Sequence, residues 1–243
     1  LLQSNHPELF RLFYETGLTK YFMPEFDEAM ETPQNHPHHM YGVGEHILHS
    51  LPYISPKKEL RLAMLLHDMA KPRTLTVDED GVTHFYGHPK ESSEMAVEIL
   101  KRLKYDNATI SMVSGLAKYH DRKIEATQKA VRKALAEIGE QFFPALFEVK
   151  YADIMAQSDY NRQEKLDKLK ALQEVYEEVI SLEQCFQIKD LAVAGKDLIE
   201  AGVIPGKQMG ELLQVMLQDV IENPEHNDKE YLLEKYVKSK DIL

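Results

Sequence analysis

The sequence predicts an all-α protein with one small β-hairpin. Apolar residues recur at helical spacing through most of the 243 residues. Only TLTVDEDGVTHFY, residues 74–86, sets β-branched and aromatic residues on both sides of a turn signal, Asp80–Gly81. Asp, Asn, Pro and Gly punctuate the rest where helices would start and stop.

The elements follow in order. VGEHILHSL, residues 43–51, reads as a short helix in a glycine-marked stretch. Glu59 to Ala70 is apolar nearly all round, as expected of a helix at the centre of a bundle. After the hairpin, Pro89 suits the first turn of a helix whose stripe is Ala96, Ile99, Leu100 and Leu103. Asp106–Asn107 offers an N-cap for a helix reaching about His120. The next helix carries Ala130, Val131, Ala134, Leu135 and Ile138, with Gly139 as its stop. From Pro144 the pattern is helical to about Gln157. Residues 161–184 form a long charged amphipathic helix with Leu166, Leu169, Tyr176 and Val179 inward. AGKDLIEAGVIPGKQMGELLQVML then breaks into short pieces, and a final helix is expected from Asn227, at capping-box spacing from Glu230. The expected organisation is a body over 1–160, a connecting helix over 161–188 and a helical tail over 189–243.

Composition bounds the function. A 43% hydrophobic chain can build a core, and the 28% charged residues should keep it soluble. The net charge of −11 argues against a protein that coats nucleic acid broadly. The single cysteine, Cys185, excludes an internal disulfide, and a reducing cytoplasm fits. No run approaches a membrane span, and no signal peptide is legible. A chain opening on Leu1 reads as a fragment or processed product.

Several ionisable residues fall on apolar stripes. His67 continues Leu60, Ala63 and Met64; His120 continues Ile110, Val113 and Ala117; Asp153 shares a face with Leu146, Val149 and Ala156. His46 lies in the short helix, and His88 lies just before a helix. Singly, each is more often a hydrogen-bonded core residue or half of a salt bridge. Together, left unpaired in one interior, they would cost several kcal/mol. Mixed imidazole and carboxylate donors are what divalent Mn, Fe, Ni, Co or Mg accept. The local basic excess of Lys118, Arg122, Lys123, Lys129, Arg132 and Lys133 could follow a phosphate backbone, although a solvated helix face is the plainer account. Lys207, at a predicted helix start, is a further phosphate contact.

The order His46, His67–Asp68, His88, His120 and Asp153 resembles the HD superfamily of metal-dependent phosphohydrolases, and LLHDMAKP resembles its His–Asp–x–x–Lys form. Longer blocks narrow the likeness. FMPEFDEAMETPQNHPHHMYGVGEHIL, HFYGH, KYHD, KYADIMAQS and AGKDLIEAGVIPGKQMGELL resemble the C-terminal half of bacterial CCA-adding tRNA nucleotidyltransferases and poly(A) polymerases, over nearly the whole chain. That resemblance implies an HD-domain helical bundle holding two divalent ions. His46, His67, Asp68 and Asp153 would be the inner set, with Asp68 bridging the ions, and His88 and His120 would complete the ligands of the second ion. Asp68, Lys71 and His84 would carry catalysis, Lys71 on a phosphoryl oxygen or a carboxylate. His39 and His84 would act as proton donor or phosphate contact, and Asp121 would fix a ring tautomer. The implied reaction is hydrolysis of phosphomonoesters or 2′,3′-cyclic nucleotides, on nucleotides or RNA 3′ ends such as those of tRNA. The alternative is a tRNA-binding body and tail with a structural or idle metal site. The run from His36 to His39 reads as a loop. The glycine-rich turn and strand-borne D-x-D of a polymerase head have no match here: the single D-x-D, Asp78–Glu79–Asp80, sits in a hairpin turn, so nucleotide addition is not expected of this chain alone.

Overall fold

A computed structural model describes residues 3–35 and 37–238. It is all-α with one two-stranded antiparallel sheet. His36 lies outside the described residues.

The chain forms two compact units: one takes the residues up to Lys123 with Gln141–Lys170, the other Ile124–Glu140 with the residues from Ala171 onward. The first opens with a 3-10 turn at Pro7–Phe10, then α1 (Arg11–Glu15), α2 (Thr19–Phe22) and α3 (Pro24–Glu31). These short helices are held by edge-to-face contacts of Phe10 with Phe13, Phe22 and Phe26. Next come α4 (Val43–Ser50) and α5 (Lys58–Leu66). As the all-apolar pattern predicts, α5 is central: Leu60 and Leu62 through Leu66 are buried. Even Arg61 is buried, donating from Nε to the Ile54 carbonyl at 3.0 Å.

The expected helix to Ala70 stops four residues early. His67 Nδ1 takes the Met64 carbonyl at 2.7 Å, and Pro72 has no N–H to continue the ladder. A short α6 (Lys71–Thr74) leads into β1 (Leu75–Val77) and β2 (Thr83–Phe85), with Thr76 opposite His84. The turn is built by Asp78, whose Oδ1 accepts from the backbone N–H of Asp80 and Val82, and by Gly81 at φ 76°.

Gly87, left-handed at φ 79°, launches α7 (His88–Arg102). Asp106 caps α8 (Asn107–Tyr119), accepting from the Thr109 N–H at 2.8 Å. In the same unit, α10 (Phe143–Ala156) buries Leu146, Val149, Ala152 and Ala156. The α11 helix (Arg162–Ser181) contains the boundary between the two units at residue 170.

In the second unit, Thr127 caps α9 (Gln128–Ile138), and Gly139 at φ 94° ends it as expected. α12 (Gly195–Glu200), α13 (Lys207–Glu222) and α14 (Lys229–Tyr236) complete it. Its core joins Cys185, Leu191, Leu198, Met216, Leu217, Val220, Ile221 and Leu232. The last helix starts later than the sequence predicts. Asp228 is its cap, accepting from the Tyr231 N–H, while Asn227 binds the Ala192 N–H and the Asp190 carbonyl instead. No described helix is long and apolar enough to cross a membrane.

Candidate metal centre

Five segments of the first unit bring six side chains to one place. α4 supplies His46, and the end of α5 supplies His67 and Asp68. His88 starts α7, His120 follows α8, and Asp153 comes from the last turns of α10. All but Asp153 are buried or nearly so.

Asp68 divides this set in two. Its Oδ2 lies 3.3 Å from His67 Nε2 and 3.6 Å from His46 Nε2. Its Oδ1 lies 3.2 Å from His88 Nε2 and 3.5 Å from His120 Nε2. Asp153 Oδ1 joins the first group, 2.9 Å from His46 Nε2 and 3.8 Å from His67 Nε2. The donor atoms therefore form two clusters, His46–His67–Asp68 and Asp68–His88–His120, sharing one carboxylate.

The imidazole tautomers follow from their backbone partners. His67, His88 and His120 place Nδ1 at 2.7, 2.8 and 2.7 Å from the carbonyls of Met64, Phe85 and Ala117. A carbonyl only accepts, so each Nδ1 carries the hydrogen, and in its neutral form each ring turns the Nε2 lone pair inward. His88 Nε2 and His120 Nε2 then face each other at 3.3 Å. Two lone pairs at that distance repel unless a proton or a cation lies between them. His67 Nε2 and Asp68 Oδ1 are buried without any hydrogen-bond partner, and an orphaned buried polar atom is costly. The donor set thus fits divalent cations, on chemistry and on the atoms it leaves unsatisfied.

Electrostatics agree. Burial would raise Asp68, but His67 and Lys71 outweigh it and hold the carboxyl well below the usual carboxylate range. Burial would likewise raise Asp153, and its hydrogen bond with His46 together with the nearby His67 ring reverses that. Burial pulls His67 down, yet the charges of Asp68 and Asp153 win and hold it at about 10. His120 is pushed down, chiefly by burial. The two carboxylates stay charged, faced by the Lys71 ammonium and by a His67 ring that readily takes positive charge, and a cation held at His67 Nε2 would stand where that proton sits.

The remaining expected residues surround this centre. Lys71 is buried, its Nζ 2.7 Å from Asp68 Oδ2 and 2.9 Å from Gln34 Oε1, so it orients the shared carboxylate. His39 lines the cavity, pushed down to about 3 by burial and by Lys71. His84 sits on the hairpin at the rim, with Nε2 2.8 Å from Asp78 Oδ2. Asp121 also lines the cavity, but the Ala117 carbonyl, not Asp121, fixes the His120 tautomer. The cavity holds about 440 Å³.

The basic residues are divided between the two units. Arg122 and Lys123 are exposed in the first unit, and Lys123 borders the cavity. Arg132 and Lys133 lie in the second unit. Arg132 is buried, donating to the Ile221 carbonyl and Gln184 Oε1, and Lys133 pairs with Glu222. Lys207 is exposed and pairs with Glu211 at 3.4 Å.

Three supporting residues escape sequence reasoning. Gln34 holds Lys71, Gln157 donates to Asp153 Oδ2 at 2.9 Å, and Lys150 donates to the carbonyls of His120 and Arg122 at 2.7 and 2.8 Å. Burial pushes Lys150 down to about 8. Only Lys150 left a trace in the sequence: it stands three residues before Asp153 on one helix.

Residues 74–236 match the family model of tRNA nucleotidyltransferase domain 2. Over 208 residues the chain is 29% identical to the A-adding tRNA nucleotidyltransferase of Deinococcus radiodurans, covering 83% of this chain and 48% of that protein. It is 28% identical over 216 residues to the CC-adding tRNA nucleotidyltransferase of Thermus thermophilus, covering 86% and 47%. A multifunctional CCA protein of an Azoarcus species is 30% identical over 115 residues, 43% of this chain and 26% of that protein. The chain spans about half the length of the first two relatives.

Proposed function

Because the chain belongs to the tRNA nucleotidyltransferase domain 2 family, we propose that it is the body and tail of a tRNA nucleotidyltransferase, engaging tRNA in the cytoplasm. The observation that carries this reading is the family match, which begins at the hairpin beside the His–Asp cavity and runs into α14. Exposed Arg122 and Lys123 are its phosphate contacts in the first unit, and Lys207 in the second. Nucleotide addition is not assigned to Asp78–Glu79–Asp80, because Asp78 is engaged by the hairpin turn and by His84. A tRNA titration of the chain at low and high salt tests the proposal. Binding should weaken as salt rises, and Arg122→Ala with Lys123→Ala should flatten that dependence. Binding that is absent or indifferent to salt overturns it.

A second reading is favoured by the facing His88 and His120 lone pairs and the orphaned His67 Nε2 and Asp68 Oδ1. In it the cavity hydrolyses phosphoesters, as in the HD phosphohydrolases that the ligand order resembles. His46, His67, Asp68 and Asp153 would hold one divalent ion, and Asp68, His88 and His120 a second. Such ions would supply Lewis acidity toward a phosphoryl oxygen and acidify water. Lys71 fixes the orientation of Asp68, and the backbone carbonyls fix the three rings. Untagged protein dialysed against Mn(II) or Ni(II) should retain metal stoichiometrically and turn over a phosphomonoester or a 2′,3′-cyclic nucleotide. His67→Ala and Asp68→Ala should lose both. Metal content far below stoichiometric in the parent protein would sink this reading and leave the tRNA-binding one standing.

A further inference from the structure

We infer that Tyr86, stacked on His84, is a nucleobase platform at the rim of the His–Asp cavity, which makes the preferred phosphoester there a nucleotide or an RNA end. The inference rests on the reading of the cavity as a phosphoester site.

The Tyr86 ring is 75% exposed. A single exposed aromatic needs no explanation by itself, but this one is positioned. Side chains two apart on a strand share a face. Phe85 accordingly faces away from His84, beneath the Lys71 ammonium at 5.3 Å, and Tyr86, in the turn that follows β2, sets its ring beside that of His84. Their rings are nearly parallel, 10° apart with centroids at 5.4 Å, an offset stack. His84 is in turn held by Asp78 at 2.8 Å, and Asp78 is held by two N–H groups of the hairpin turn. The stack is therefore preorganised by the turn that carries the D-x-D sequence.

Both rings line the same cavity as Asp68, His88, His120 and Lys123. A ligand whose phosphate reaches the His–Asp centre would leave its remaining bulk at this rim. A flat ring presented beside a phosphate-binding pocket suits a base, since every nucleobase offers a π-face. An aliphatic or sugar phosphate would make no equivalent contact.

The test compares adenosine 5′-monophosphate with ribose 5-phosphate on the full chain loaded with diamagnetic Mg(II). Calorimetry gives affinities, and saturation-transfer NMR reports which ligand protons touch protein. The nucleotide should bind at least about fivefold more tightly, the low end for one base–aromatic stack. Saturation should be strongest on the adenine protons. Tyr86→Ala should bring the affinity ratio toward one, and Tyr86→Phe should keep it. Equal affinities in the parent protein, or a ratio unchanged by Tyr86→Ala, overturn the platform while leaving the phosphoester site intact. If neither compound binds, the phosphoester reading fails and the platform with it. Circular dichroism of each variant confirms that the exposed substitution leaves the fold in place.

Discussion

Asp68 and Asp219 illustrate what single carboxylates do in the two units. Asp68 offers one oxygen to each histidine cluster. Asp219 does a structural job: it accepts from Lys235 at 2.9 Å and pairs with His226 at 3.0 Å. Burial would raise its carboxyl, but the bonds from Lys235 and His226 outweigh that and depress it below the usual value of 3.8. A depressed folded value means stabilisation present above the unfolded value and lost as pH falls through the folded one. Stability should therefore drop between about pH 4 and lower pH, and Asp219→Asn should flatten that part of the profile. Urea midpoints measured across this range check it. At this scale the sequence was informative where chemistry forces a residue type. His46, His67, Asp68, His88, His120 and Asp153 were all legible because each interrupts an apolar stripe or opens a helix. Gln34 and Gln157 were not, since an amide on a half-buried surface carries no pattern.

Among the elements, α4 depends on a close approach. A Cβ at Gly44 would lie 2.7 Å from both the N and the Cα of Met30 in α3, and backbone cannot swing aside as a side-chain tip can. Gly44→Ala should therefore push α3 and α4 apart, at a cost of about 1–3 kcal/mol. Because His46 stands two residues further on, the same variant should weaken divalent-metal retention. Chemical denaturation and metal dialysis read the two effects separately, and a fully stable variant would contradict the packing argument. The long helices were legible from their stripes and caps. Helices α1–α3, of four to eight residues, were not, because less than two or so turns gives no readable period. The early end of α5 was hidden for another reason: the His67 ring, not an apolar boundary, takes the carbonyl that would continue it.

For the whole molecule, the division into two units also divides the basic residues. Lys118 to Lys133 looked like one stretch, but residues to Lys123 belong to the first unit and those from Ile124 to the second. The second unit also holds the lone thiol. Cys185 is 4% exposed within its core, and burial pushes it up to about 11. A thiol that is both shielded and protonated reacts slowly. At mildly alkaline pH it should resist a disulfide reagent in the native protein and label fully in urea. Fast native labelling would mean that this core opens readily. The Deinococcus radiodurans and Thermus thermophilus relatives are about twice as long as the region they share with this chain.

By itself the sequence determined the helical class, the single hairpin, most helix limits and the identity of the six convergent polar residues. Each follows from local rules: periodicity, caps, turn residues and the cost of burying a charge. Only the tertiary structure decided which Asp68 oxygen faces which histidines, that Lys71 holds the carboxylate, that Arg132 is buried in a core, and that Tyr86 stands stacked at the cavity rim. Those facts depend on side-chain directions across segments far apart in the chain, where spacing along the sequence carries no information about distance in space.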